Sequence, residues 1–201
     1  MNQRDKQIID NLMRFRVMTR DDIMGIHFSE WKNPVKQANA VLKRLRRDKQ
    51  IDCCTKERIY RYFPIPSIKR ESQKIPHFLA IVSFYRELRK HEEPRTFDVE
   101  PKYGKGSPEP DAFVIWKGAP FYVEIQRKQY TAKEMKDKTN RYEQYYYSEE
   151  WKKEPWQPVD KKLFPLVWMI TETRYNLTAP FKTIQSKDVD EFLAAAVRKF
   201  T

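Results

Sequence analysis

Glycine is scarce, at four residues in 201. That excludes a glycine-rich repeat or linker protein. No glycine-rich phosphate loop is present either, which disfavours an ATPase or a nicotinamide-dependent enzyme. Cysteine is scarcer still, and Cys53 and Cys54 are adjacent. Adjacent cysteines make neither a disulfide framework nor a zinc spacing. His27, His77 and His91 are scattered, and none pairs with a second ligand at metal spacing. No apolar run approaches the length of about eighteen residues that a membrane span needs, and the opening MNQRDKQIID lacks the apolar segment of a secretory signal. A cytoplasmic chain with no membrane partner is expected.

Positive charge is what the sequence has in excess. Forty Lys and Arg against twenty-eight Asp and Glu give a net charge of +12. Hydrophobic residues are 40% and aromatics 14%, enough to build a core. The charge is uneven. Residues 1–70 hold seventeen basic and eight acidic residues, whereas residues 71–201 hold twenty-three and twenty. A basic first third on a nearly balanced remainder suggests two modules, the first suited to a polyanion. Nucleic acid rewards clustered cations through counterion release; an anionic membrane is the rival, and it would want a large exposed apolar face on the same helix.

The apolar periodicity organises the first module. Ile8, Ile9, Leu12, Met13 and Phe15 predict a helix over 4–15. Thr19 offers an N-cap oxygen ahead of Asp21 and Asp22, and Ile23 and Ile26 make a short second helix. Asn33-Pro34 opens a third helix, with Val35, Ala38, Val41, Leu42 and Leu45 in one stripe. Lys36, Lys43, Arg44, Arg46, Arg47 and Lys49 lie mostly off that stripe. Two β-like runs follow, Ile51–Cys54 and Ile59–Phe63, around a polar turn that carries Lys56 and Arg58. This order is that of a winged helix-turn-helix, whose third helix enters the major groove while the hairpin touches the backbone. Lys36, Lys43, Arg44, Arg46, Arg47, Lys56 and Arg58 are therefore the candidate DNA-binding residues.

The stretch 67–76 reads as a linker, dividing a domain at 1–66 from one at 77–201. The second opens with a helix over 77–89. Strands are expected at Thr96–Glu100, Asp111–Trp116 and Phe121–Gln126, then a polar-aromatic helix at Ala132–Tyr147 and a strand at Leu166–Thr171. Ser186 is placed to cap a last helix. Tyr142, Tyr145, Tyr146 and Tyr147, with Trp151 and Trp156, read either as a core face or as a base-stacking platform. Asp111 and Glu124 are thirteen positions apart across a turn, so antiparallel pairing can set them side by side. Residues two apart on a strand share a face, so Glu124, Gln126 and Lys128 line one side if the strand continues that far. Paired carboxylates with a nearby amide or ammonium suit phosphodiester chemistry around a hard divalent cation.

Pro110-Asp111 followed by Glu124-x-Gln126 resembles the PD-(D/E)XK nuclease core. With the N-terminal winged helix, the whole chain looks like the replication-relaxation family of plasmids, phages and conjugative elements. The resemblance implies a mixed α/β fold: a winged helix-turn-helix followed by an αβββαβ restriction-endonuclease-like domain. It also implies Asp111 and Glu124 as metal ligands for Mg2+ or Mn2+ in an active enzyme. Gln126 stands where the lysine usually lies, and Lys128, about 6–7 Å further along the strand, is the nearest basic substitute. The implied partners are double-stranded DNA, a replication or relaxase protein, and a second copy of the chain. Three functions follow as expectations: a DNA-binding protein in replication or relaxation, a metal-dependent DNA endonuclease or nickase, and a winged-helix transcription regulator.

Overall fold

The computed structural model describes residues 1–55, 59–104 and 106–197. Among these the fold is mixed α/β, with six α-helices and two sheets. No helix among the described residues is long and apolar enough to cross a membrane. The chain divides into two compact units, Met1–Glu87 and Leu88–Thr201. The boundary between the units lies within the helix Ile75–His91.

The first unit begins with α1 (Gln3–Phe15), β1 (Met18–Thr19), α2 (Arg20–His27) and α3 (Pro34–Arg47). It continues with β2 (Asp52–Cys54), β3 (Arg61–Phe63) and most of α4 (Ile75–His91). Local chemistry sets the helix starts. Asn2 and Asp5 form a reciprocal capping box on α1, and Thr19 and Asp22 form another on α2. Pro34 occupies the first turn of α3, where its missing N–H costs nothing. The three strands form a small antiparallel sheet in the order β1-β3-β2, with Met18 and Cys53 both opposite Tyr62. The strand β1 is too short for alternation to reveal, and the sequence pattern passed over it. Ile8, Leu12, Phe15, Ile23, Ala38, Leu42, Leu45 and Phe63 are buried. Val35, expected on the apolar stripe, is exposed instead. The stripe begins one turn later, at Ala38.

Several ion pairs tie this unit together, two of them on buried aspartates. Arg44 reaches Asp5 with both guanidinium nitrogens, at 2.9 and 2.7 Å. That bidentate bond pulls the Asp5 carboxyl below the ordinary aspartate value, against the opposing effect of burial. Arg86 donates to Asp22 at 2.8 Å, and the other oxygen of Asp22 accepts from the Thr19 hydroxyl at 2.6 Å.

The second unit is built on a five-stranded sheet. Its strands are β4 (Thr96–Val99), β5 (Ala112–Trp116), β6 (Ala119–Ile125), β7 (Leu166–Ile170) and β8 (Thr183–Ser186). They lie in sequence order; β4, β5 and β6 form an antiparallel meander, and β6, β7 and β8 run parallel. Lys117 and Gly118, both at positive φ, make the tight turn between β5 and β6. The parallel step needs a crossover, and α5 (Ala132–Ser148) supplies it. One face of the sheet packs Phe113, Ile115, Tyr122, Val167 and Met169 against Met135, Tyr142 and Tyr145 of α5 and against Trp151. On the other face Trp168 lies 4.3 Å from Phe192 of α6 (Val189–Val197), centroid to centroid.

Ser186 does not cap α6. It ends β8, a strand that sequence patterning missed, and its hydroxyl accepts from the Trp168 indole at 2.8 Å. Asp188 takes the capping role, accepting from the Glu191 backbone N–H at 2.7 Å. After α5 the chain makes one 3-10 turn, Glu150–Lys153, in which Trp151 is buried.

Candidate functional site

Two places concentrate polar chemistry, one in each unit. In the second unit the β5–β6 register pairs Ala112 with Val123, so Asp111 lies opposite Glu124, as the sequence spacing predicts. Each is anchored. The Asp111 backbone N–H donates to the Val123 carbonyl at 2.9 Å, and its carboxylate accepts from the Ile125 N–H at 2.6 Å. Glu124 points to the α5 side of the sheet and is almost fully buried. There it meets two residues that strand-based reasoning did not assign to the site. The Lys138 ammonium donates to one carboxylate oxygen. The Tyr142 hydroxyl donates to the other at 2.7 Å.

Lys138 and Tyr142 are four apart on α5 and therefore share a face. The crossover lays that face over β6. The sequence signal was available only in part, as a lysine and a tyrosine at helical spacing. Which strand the helix would cover is a tertiary fact.

Burial pushes the Glu124 carboxyl above its ordinary value, and the neighbouring Asp111 charge adds to this, while Lys138 pulls the other way. Burial also works against the Lys138 charge, but the Glu124 carboxylate outweighs it and holds the ammonium above the ordinary lysine value. The Tyr142 hydroxyl is raised by burial and then by the Glu124 charge, so it stays a donor. The cluster is a closed acid–ammonium–phenol set. The Tyr130 ring flanks it, with Lys138 Nζ 5.6 Å and Lys128 Nζ 6.0 Å from its centroid.

Gln126 and Lys128 stand elsewhere. The strand β6 ends at Ile125, so the face expected to continue to Lys128 does not. The Lys128 ammonium pairs with Glu134 at 3.3 Å, at the exposed start of α5. The Gln126 side chain turns to the end of β7, where its carbonyl oxygen accepts from Thr171 Oγ1 at 2.5 Å. Its amide nitrogen is buried with no hydrogen-bond partner among the described residues. The ammonium beside the acidic pair therefore comes from the helix and not from the strand.

This donor set can be weighed against a divalent ion. Such ions take six or more oxygen ligands, typically from carboxylates with open lone pairs. Here both Glu124 oxygens already accept from protein donors, and Asp111 accepts from the Ile125 backbone. Among the described residues no three His, Cys, Asp or Glu side chains converge. In this arrangement a divalent ion at the acidic pair would share the Glu124 oxygens with Lys138 and Tyr142. Lys138 supplies the positive charge that an ion would bring to Glu124.

The tyrosine run divides in the same way. Tyr142 and Tyr145 are core residues, Tyr146 is half-buried, and only Tyr147 is well exposed. Trp151 is buried, and Trp156 packs on Phe113 at 5.0 Å. A continuous stacking platform is not formed.

In the first unit, α3 and the β2–β3 sheet flank a groove of about 590 Å³. Arg20, Asp21, Asn39, Lys43 and Arg46 line it, with Tyr60 and Tyr62 from the strand side, and Arg20 is paired with Asp21 at 2.8 Å. Burial, followed by the neighbouring Cys53, pushes the Tyr62 hydroxyl up to about 12. Lys36, Lys43 and Arg46 are exposed and make no ion pair among the described residues. The other predicted DNA-binding residues differ. Arg44 turns inward to Asp5 and is committed to the fold. Arg47 is exposed and bonds Asp48 at 2.9 Å. Lys56 and Arg58 lie outside the described residues.

No protein-family model matches the chain, and no curated protein and no solved structure matches it.

Proposed function

We propose that the chain is a duplex-DNA-binding protein that docks through the α3 groove of its first unit. One observation carries this reading: Lys36, Lys43 and Arg46 project from one exposed side of α3 with no acidic partner among the described residues. Unpaired cations in a row release counterions when they meet phosphate, and that release drives binding. The helix is amphipathic, with Ala38, Leu42 and Leu45 buried behind the cationic side. It is held to α1 by the Arg44–Asp5 clamp. The element order helix, strand, helix, helix and two strands in a three-stranded sheet supports a winged-helix reading. The second unit, with its three-stranded meander, crossover helix and parallel fourth strand, supports a nuclease-like reading of the sheet. Its Asp111–Glu124 juxtaposition is consistent with descent from a phosphodiester-cutting ancestor. On the resemblance to replication-relaxation proteins, the role is in replication or relaxation of a mobile element.

Fluorescence anisotropy with a labelled duplex tests the reading. Lys43→Gln with Arg46→Gln should weaken binding on every duplex and lower the slope of log affinity against log salt by roughly one for each phosphate no longer neutralised. Equal affinity and slope in the double variant would remove α3 from the interface. The alternative, an endonuclease, has its own assay: supercoiled plasmid with Mn2+. Nicked or linear product from the wild type, absent with Asp111→Ala, would establish it. Intact plasmid with tight binding supports a binding protein whose acidic cluster is structural.

A further inference from the structure

We propose that Asn39 is the residue of α3 that reads a base, and that the duplex selected by this protein presents an adenine to it in the major groove. This rests on the DNA-binding reading above and adds to it the chemistry of selection. Residues 36, 39, 43 and 46 are spaced three, four and three apart, so Lys36, Asn39, Lys43 and Arg46 form one stripe along the helix. All four are exposed. Three of them are cations, which contribute most to affinity through phosphates and act on any sequence.

Asn39 is the only neutral member of the stripe and the only one that both donates and accepts. A side-chain amide matches the N6 donor and N7 acceptor of adenine in a single bidentate contact, and no other base offers that pair in the same order. Its amide makes no hydrogen bond among the described residues, so it is not already committed to the fold. It lines the groove beside Lys43 and Arg46. It lies in the first half of α3, the part of a recognition helix that meets base edges. A short side chain reaches a base only if the helix approaches closely. Val35 and Ala40, which flank the stripe beside it, are exposed and short, and the flexible Lys36 and Lys43 side chains can turn to the phosphates on either side. Gln37, the other amide in this part of the helix, is half-buried and does not line the groove.

The experiment is selection from a random duplex library with the full chain, run in parallel for wild type, Asn39→Ala and the Lys43→Gln/Arg46→Gln pair. The wild type should enrich a motif with an invariant A·T pair. Asn39→Ala should lose preference at that one position, by on the order of 10- to 100-fold, and keep its affinity for non-specific duplex and its salt slope. A thermal melt matching the wild type confirms that the exposed substitution leaves the fold intact. Enrichment of the same motif by Asn39→Ala would overturn the proposal and leave the binding reading standing, provided the double variant binds weakly. Salt-dependent wild-type binding with no enriched motif overturns the proposal in the same way. A wild type that binds no duplex overturns both.

Discussion

Replacing Lys138 by Met should destabilise the second unit severely. Glu124 is 2% exposed, and the Lys138 side chain is 17% exposed. Removing the ammonium leaves a buried carboxylate with only the Tyr142 hydroxyl. Breaking a buried pair by deleting one partner costs about 3–5 kcal/mol. With a urea dependence of about 2 kcal/mol per molar, the unfolding midpoint should fall by roughly 1.5–2.5 M. The loss should depend on pH in a defined direction. Burial raises the Glu124 carboxyl above its unfolded value of 4.5. The folded chain therefore holds that proton more tightly, and this share of stability is full below pH 4.5 and fades as pH rises through the folded value. Without Lys138 the folded value rises further, so the deficit of Lys138→Met should be small in acid and grow toward neutral pH. A double variant, Lys138→Met with Glu124→Gln, removes the stranded charge and should recover more than about 2 kcal/mol as a coupling energy. The assay is urea unfolding followed by tryptophan fluorescence, since Trp116, Trp151 and Trp168 are buried in this unit. A single-variant loss below about 1 kcal/mol at neutral pH, with additive double-variant behaviour, would refute a buried ion pair.

Other outcomes follow from the same arrangement. Tyr142→Phe should cost about 1–3 kcal/mol in the same unfolding assay, because it leaves a buried Glu124 oxygen without its donor. Thr19→Ala removes the α2 cap and the hydroxyl bond to Asp22, and should cost about 1–2 kcal/mol by thermal or urea unfolding. Asp5→Asn should change the acid limb of stability. The Arg44 bond lowers the Asp5 carboxyl below 3.8, so its contribution is full above that pH and is lost as pH falls through the folded value. The asparagine variant should lack this component in an acid titration of unfolding.

Much of the fold was legible because it is written in local chemistry. Thr19 and Asp22 announce α2, and Pro34 announces α3. The periodicity of Ala38, Leu42 and Leu45 names the buried side of α3. The facing of Asp111 and Glu124 followed from counting across a tight turn. What escaped depends on distant neighbours. Arg44 looks like any other cation of α3 until α1 brings Asp5 to it. Lys138 and Tyr142 look like surface and core residues of a helix until the crossover lays them over β6. The strand β8 carries Thr183, Gln185 and Ser186, too polar to announce a strand by hydrophobicity. Lys128 was placed on the face of Glu124 only by extending β6, which stops at Ile125 because the chain then leaves the sheet for the start of α5.

The central claim is that the cations of α3 meet phosphate, and the salt dependence of duplex binding tests it most directly. The wild type should bind with log affinity falling linearly as log salt rises, and Lys43→Gln with Arg46→Gln should reduce both the affinity and the slope. Binding that is absent, or that is indifferent to salt and to both substitutions, would contradict the claim.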